Sequence, residues 1–329
     1  MALMTTASFS DPKSRAIGAL WDFRMQDLSS QLRYQEYGFH DFEPDAADEQ
    51  LQGYWGPARG ILTVEGQTYG SNEIYRDYPV TVTLRKYTSR LVITEEDIHW
   101  LTKAKQQKHE MQIISMLDNA INALNYNVEF DATRFIYLSH TTAMFTGGDS
   151  LSLINTAHPL RSGGTQANNF GSGDTHRAFS ASALVELINL MDRFKGQNGT
   201  QMLPTKHLRV LCSIEAAPTV QQAIDSKYGP TANLNLSTAS AEAFQGRGKV
   251  VDFRVMPYMP AAYKNYWFVV AMDRTPNRML MCWAWKPRLA QDSVISNGTF
   301  ENDASVSFAP IALGWQFIAG SKGDGSSIS

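Results

Sequence analysis

The chain has 329 residues, of which 43% are hydrophobic and 19% charged, and its formal net charge is -3. That length suffices for one large core or two medium ones, since domains commonly run about 100 to 200 residues, and two subdomains are expected. The net charge excludes the global basic field that drives strong sequence-independent DNA binding through counterion release, and with it a genome-coating protein. The modest share of charges suits a subunit that hides surface against neighbours, although an ordinary globular protein gives the same numbers. The only two cysteines, Cys212 and Cys282, sit far apart in apolar runs and read as buried thiols; with no CxxC knuckle or disulfide framework they fit a reducing cytoplasm. No window approaches 18 consecutive apolar residues and no basic segment precedes an apolar one at the N-terminus, so neither a membrane span nor a signal peptide is expected.

Residues 1–57 mix short apolar patches with an acidic run, Asp41, Glu43, Asp45, Asp48 and Glu49, in which no lysine or arginine intervenes. A terminus of this composition becomes ordered by docking on something else, so it reads as an arm, with a solvated acidic loop as the alternative. From Ile61 to Ile93 the pattern turns to β, and a long hairpin is expected around Gly66 and Gly70. Val80, Val82 and Leu84 share one parity, whereas Tyr87, Leu91 and Ile93 share the other, so the strand changes face near Lys86.

Thr94, followed by Glu95, Glu96 and Asp97, supplies a helix start, and Ile98, Leu101, Met111, Ile114, Leu117, Ile121 and Leu124 then mark one apolar face of a helix about 45 Å long. Lys103, Lys105 and Lys108 read as a solvated face of that helix, with contact to DNA or an acidic neighbour as the alternative. Beyond it come Phe130 to Leu138, the turn Thr146-Gly147-Gly148-Asp149, and a long polar loop reaching Arg177, of the kind that is usually functional or an interaction surface. Ser180 or Ser182 opens a second helix, with Leu184, Leu187, Ile188, Met191 and Phe194 on one face and Gly196 as its stop.

The remainder reads α+β: a strand over Leu208–Ile214, a helix over Ala216–Ser226 with Pro218 in its first turn, loop over 229–248, and a strand from Val250 to Met256. Tyr266–Met272 and Met279–Trp285 are near-continuous apolar runs and predict a hairpin buried on both faces. Ile311, Leu313, Trp315 and Phe317 alternate with Ala312, Gly314 and Gln316, which predicts a strand with one apolar side, and the Gly/Ser-rich close of the chain predicts a tail without order.

Catalytic and metal signatures are not found. The seven histidines are scattered without an HExxH, no GxSxG elbow occurs, and the Gly147-Gly148 turn lacks the ending of a phosphate-binding loop. No catalytic, cofactor-binding or metal-ligating residue is assigned and no cofactor is expected. His158 stands before Pro159 in an extended segment, where a structural histidine is the better reading than a Ser-His-Asp member.

Two motifs are more specific: Asn155-Thr156-Ala157-His158-Pro159, then Gly163-Gly164-Thr165-Gln166 with Asn168 close behind. Together with the order of arm, hairpin, long helix, motif loop, second helix, α+β remainder and final strand, they resemble the major capsid proteins of tailed bacteriophages, the HK97-like fold. The resemblance implies an N-terminal arm over 1–57, an E-loop over 58–93, a P-domain over 94–200 and 304–320, an A-domain over 201–303, and a disordered tail over 321–329. It implies a non-enzymatic head protein that self-assembles as pentamers and hexamers into an icosahedral shell around double-stranded DNA, touched weakly and non-specifically. A separate scaffolding protein and a portal would be partners, with no membrane, and the shell would assemble in the bacterial cytoplasm and end in the virion. An encapsulin-like compartment shares the fold and is the alternative, followed by a cytoplasmic α+β enzyme with its site in the loop from 146 to 177.

Overall fold

The structure is a computed structural model that describes residues 12–29, 32–46, 48–55, 75–94, 106–172, 175–225, 248–292 and 299–326. Its main elements are helices α1 (Pro12–Ser29), α2 (Gln106–Tyr137), α3 (Ala181–Asp192) and α4 (Ala217–Asp225), with strands β1 (Arg85–Thr94), β2 (His207–Cys212), β3 (Val250–Val255), β4 (Trp267–Ala271), β5 (Met279–Asp292), β6 (Thr299–Ala312) and β7 (Ile318–Ser321). The fold class is α+β, as expected. Among the described residues no helix is long and apolar enough to cross a membrane.

The chain forms two compact units. The first comprises Met1–Arg33, Thr83–Asp131 and Cys282–Ala309; the second comprises Tyr34–Val82, Ala132–Met281 and Pro310–Ser329. In the first, β1 pairs antiparallel with β6 from Thr94↔Thr299 to Arg85↔Phe308. Tyr87 and Leu91 of β1 turn inward: Tyr87 stacks on Phe308 at 5.5 Å, and Phe308 meets Trp283 at 5.6 Å. The Tyr87 hydroxyl donates to Oδ2 of the buried Asp131 at 2.6 Å, and burial, then this bond and the Asp131 charge, push the phenol above its ordinary value. On α2, Ile113, Leu117, Ala120, Ile121, Leu124 and Val128 recur at three- and four-residue steps and are buried, the stripe an amphipathic helix needs. Arg24 of α1 grips Asp118 bidentately, at 2.7 and 2.6 Å.

In the second unit the core is a four-stranded sheet in the order β3-β2-β4-β7. Strands β2 and β3 run parallel, which requires a crossover, and α4 supplies it while packing on both. Registered neighbours Arg209 and Asp252 pair across them at 2.8 and 2.6 Å. Burial alone would raise the Asp252 pKa; the Arg209 bonds and charge, with His207 and Arg254, hold it below the ordinary carboxylate value. Every residue of β4 is buried, as a strand with a neighbour on each side and cover on both faces must be. Helix α3 is capped as expected: the Ser180 hydroxyl oxygen accepts from Ala183 N at 3.1 Å, and Leu184, Leu187, Ile188 and Met191 are buried.

Several expectations are corrected. The apolar runs at 266–272 and 279–285 are buried but do not form a hairpin: β4 lies between β2 and β7, whereas β5 belongs to a different sheet beside β6. The turn between them, with Asn277 at φ +60, redirects the chain out of the first sheet. Phe130–Tyr137, expected beyond the long helix, is its last part, and α2 runs 32 described residues, about 48 Å at 1.5 Å per residue. The expected strand through Phe317 ends at Ala312, because Gly314 adopts φ +85, and its alternation is lost since Gln316 is as buried as Phe317. The parity switch near Lys86 marks a change of partner: Val80–Thr81 pairs with Gln50–Leu51, and β1 pairs with β6. Residues 56–74, with the expected hairpin tip, 95–105, with the expected helix start, Lys103 and Lys105, and the loop at 226–247 lie outside the described residues.

The tail is a further correction. Ser321 closes β7, and residues 322–326 are tied along His176: His176 N donates to Ser326 O at 2.9 Å and Gly325 N to His176 O at 3.2 Å. Residues 327–329 lie outside the described residues.

His140 has both ring nitrogens buried without a hydrogen-bond partner, and burial, followed by the charges of His176 and Lys322, lowers its pKa from 6.5 to about 3. Below pH 6.5 the unfolded chain takes up this proton while the folded chain refuses it until about 3, so stability is lost as pH falls through that window. His140→Phe should remove on the order of 1–3 kcal/mol of this acid sensitivity, read as a smaller loss of urea midpoint between pH 7 and pH 5 than in the native chain.

Candidate functional site

The two motifs fall within the loop of the second unit between α2 and α3, whose regular structure consists of two-residue ladders, such as His158–Pro159 with Thr165–Gln166. Such a backbone cannot satisfy itself, and polar side chains supply the missing partners. Asn168, fully buried, does most of this: its Oδ1 accepts from Asn155 N at 2.8 Å, and its Nδ2 donates to Leu153 O at 2.9 Å and Ile318 O at 3.1 Å. Its backbone N donates to Asn155 O and its carbonyl accepts from Gly320 N, so one residue joins both arms of the loop to β7. Gln166 holds the segment after α3, accepting from Lys195 N at 2.9 Å and donating to Arg193 O at 3.1 Å. Gly163 and Gly164 make the tip, at φ +96 and +82, a conformation that favours glycine.

His158 is buried at the base of the ladder. Its Nδ1 lies 2.7 Å from Asp149 Oδ2, and its ring stacks on Trp315 with centroids 4.6 Å apart and planes 11° from parallel. Asp149 is placed by the Gly147-Gly148 turn: its Oδ1 accepts from Leu151 N at 3.2 Å, and Gly148 passes so close to Tyr78 and Pro79 that a Cβ would lie 2.5 Å from the Pro79 carbonyl oxygen. Beside His158 is a cavity of about 20 Å³, bounded also by Asp77, Tyr78 and Phe145, a volume that suits a water molecule and no organic substrate.

The structure thus brings His158 and Asp149 together, as a Ser-His-Asp reading would require. Among the described residues no hydroxyl lies within hydrogen-bond reach of His158 Nε2, and the Ser152 hydroxyl donates instead to Ile154 O at 2.9 Å. The pair acts as a pin, holding the motif strand against Trp315. No group of three His, Cys, Asp or Glu residues among the described residues could hold a metal ion. Cys212 and Cys282 are buried free thiols, and burial pushes Cys212 up to about 12.

Around the motif loop lies a set of buried charges that pattern reasoning did not find. Asp77 is buried, accepts from Tyr78 N at 2.9 Å and Gln197 Nε2 at 3.0 Å, and stands 3.9 Å from Arg278. Burial lowers the Arg278 pKa to about 10 although Asp77 supports its charge. Arg274 spends its guanidinium on three carbonyls, Met191 O, Gln316 O and Leu203 O, at 3.1, 3.2 and 2.7 Å. Lys249 Nζ bonds Asp192 at 2.8 Å and Thr205 O at 2.7 Å. Nothing in the sequence sets these residues apart from surface charges, because the partners lie far along the chain.

Set beside solved structures, this architecture is not new. A chain from Mycobacterium phage Patience superimposes over 97% of this chain and 90% of its own, with a TM-score of 0.50 and 12% identity. The fold is HK97-like. A chain from the capsid of Myoviridae phage XM1 aligns over 88% of this chain and 90% of its own at a TM-score of 0.49 and 10% identity. A chain from the capsid of a native GTA particle aligns over 88% and 89% at 0.48 and 11%. No protein-family model matches the sequence, and no curated protein matches it. Within this HK97-like chain the two motifs work as the fastening of the loop to β7.

Replacing Asn168 by leucine leaves Asn155 N, Leu153 O and Ile318 O buried without their partner. The Asn168→Leu chain is expected to lose about 2 to 4 kcal/mol, measured by urea unfolding, whereas His158→Gln, which keeps a polar group beside Asp149, should lose less.

Proposed function

We propose that the chain is a major capsid protein, whose product is an icosahedral shell enclosing phage double-stranded DNA. The observation that carries this reading is the HK97-like fold spanning nearly the whole chain. The site geometry supports it from a second side: the motif loop is spent on internal fastening, with a cavity of about 20 Å³ beside its one His-Asp pair, so the conspicuous polar residues serve rigidity rather than turnover. The role is therefore structural and non-enzymatic.

On this reading residues 1–57 are the arm, 58–93 the E-loop, 94–200 with 304–320 the P-domain and 201–303 the A-domain. Arms and E-loops laid across neighbours give each subunit interfaces on the scale of obligate assemblies, roughly 2,000 Å² or more. Five- and six-fold clustering of one chain then asks for slightly different contacts at each position, which extended segments absorb while a fastened core stays constant. A separate scaffolding protein sets the size of the shell, a portal occupies one vertex, and DNA meets the inner wall weakly and non-specifically, in keeping with the net charge of -3. Assembly in the bacterial cytoplasm places the finished shell in the virion.

The purified chain, examined by negative-stain electron microscopy and size-exclusion chromatography with and without a scaffold candidate, should give uniform shells or five- and six-membered rings; a monomer that stays so with scaffold present would refute the reading. Deleting residues 66–74, which stops short of the buried Asp77, should leave a soluble, folded subunit that forms no shells, and normal particles from that deletion would remove the E-loop assignment.

A further inference from the structure

We propose that His176 is an acid-released latch for the closing segment 322–326, held by a hydrogen bond that exists only while its imidazole is neutral. The segment is fastened to one residue by three bonds: His176 N to Ser326 O at 2.9 Å, Gly325 N to His176 O at 3.2 Å, and Lys322 N to the ring Nδ1 of His176 at 3.3 Å. The last needs a lone pair on Nδ1, so the ring must be the neutral Nε2-H tautomer. Protonation turns Nδ1 into a donor, sets N-H against N-H, and places a new positive charge beside the Lys322 ammonium.

The surroundings resist that charge when the segment is docked. His176 is 2% exposed, and the edge of His140, whose two nitrogens are buried and unpartnered, meets its ring at 5.2 Å. Tyr266 packs on His140 at 5.8 Å and on Tyr263 at 5.1 Å, and burial raises the Tyr266 phenol above its ordinary value. Lys322 opposes protonation of His176 and Asp324 favours it, but the Asp324 carboxylate is already engaged by Ser326 N at 2.9 Å and Ser326 Oγ at 2.6 Å. Burial first, then Lys322, hold His176 below its ordinary value of 6.5. The docked state is therefore complete at neutral pH and is lost as pH falls below 6.5, when the undocked ring takes the proton first.

Release has a defined extent. Ser321 is fixed independently, its hydroxyl donating to Arg177 O at 2.9 Å and its backbone paired with Trp267 in the sheet, so the hinge falls between Ser321 and Lys322. Undocking frees the backbone N-H and C=O of His176, an exposed pair able to accept another extended segment.

The test is hydrogen exchange of the full chain, following the Lys322 and Gly325 amides from pH 7.5 to 4.5, corrected for intrinsic rates, with far-ultraviolet circular dichroism at each pH. Native protein should lose protection at both amides by about tenfold or more, the factor that one pH unit of linkage gives, while the circular dichroism stays constant. His176→Gln, whose amide oxygen accepts from Lys322 N without titrating, should keep its protection throughout. Lys322→Gln removes the opposing charge, narrows the gap between the docked and undocked rings, and should shrink the loss of protection and move it to lower pH. An unprotected segment at pH 7.5, a transition unchanged in His176→Gln, or loss of protection only together with the circular dichroism would each overturn the latch.

Discussion

The structure of the second unit depends on the carboxamide of Asn168. A loop running from the end of α2 to the start of α3 with only two-residue ladders carries a surplus of backbone donors and acceptors, and each one buried without a partner costs about 1 to 3 kcal/mol. Asn168 meets this constraint because a carboxamide both donates and accepts, and can bond three backbone groups at once, two in the 153–155 segment and one in β7. Asn155 N, Leu153 O and Ile318 O are thereby joined through one side chain, and β7 lies at the edge of the sheet beside β4. An acid or an aliphatic residue of the same size could meet only part of this demand.

The same economy explains the buried charges. Arg274 binds the carbonyl of Met191 in the last turn of α3, where the helix dipole favours a cation, and extends to Gln316 and Leu203, so helix end, final loop and surface loop share one guanidinium. Lys249 ties Asp192 to Thr205 in the same way, and Arg209 locks the parallel pair β2 and β3 in register through Asp252. Ion pairs of this kind add little net stability over apolar packing, but removing one partner strands a buried charge, which makes the arrangement discriminating.

This separates the roles of the motifs and of the surface. His158, Asp149 and Trp315 look at first like the start of a catalytic site, yet they enclose space for a water molecule and pin a strand. His176 holds the closing segment by its backbone and ring, and its titration lets a change of pH alter the surface without altering the sheet.

What the sequence determined by itself was local. The stripe of Leu117, Ile121 and Leu124, the cap at Ser180, Pro218 in a first turn, the strand at 208–212 and the parity switch near Lys86 are written in spacings of a few residues, because helix and strand periods are properties of short chain segments. The two motifs and the order of elements pointed to the fold. Tertiary structure alone decided which strands are neighbours: the runs at 267–271 and 279–285 look like a hairpin, and only the competition for β2, β6 and β7 sends them to different sheets. It also decided which charges are buried and that the Gly/Ser-rich close of the chain is held at His176. Composition reports how much surface a segment can bury, whereas pairing and burial depend on residues a hundred or more positions away, as Asn168 to Ile318 and Asp77 to Gln197 show.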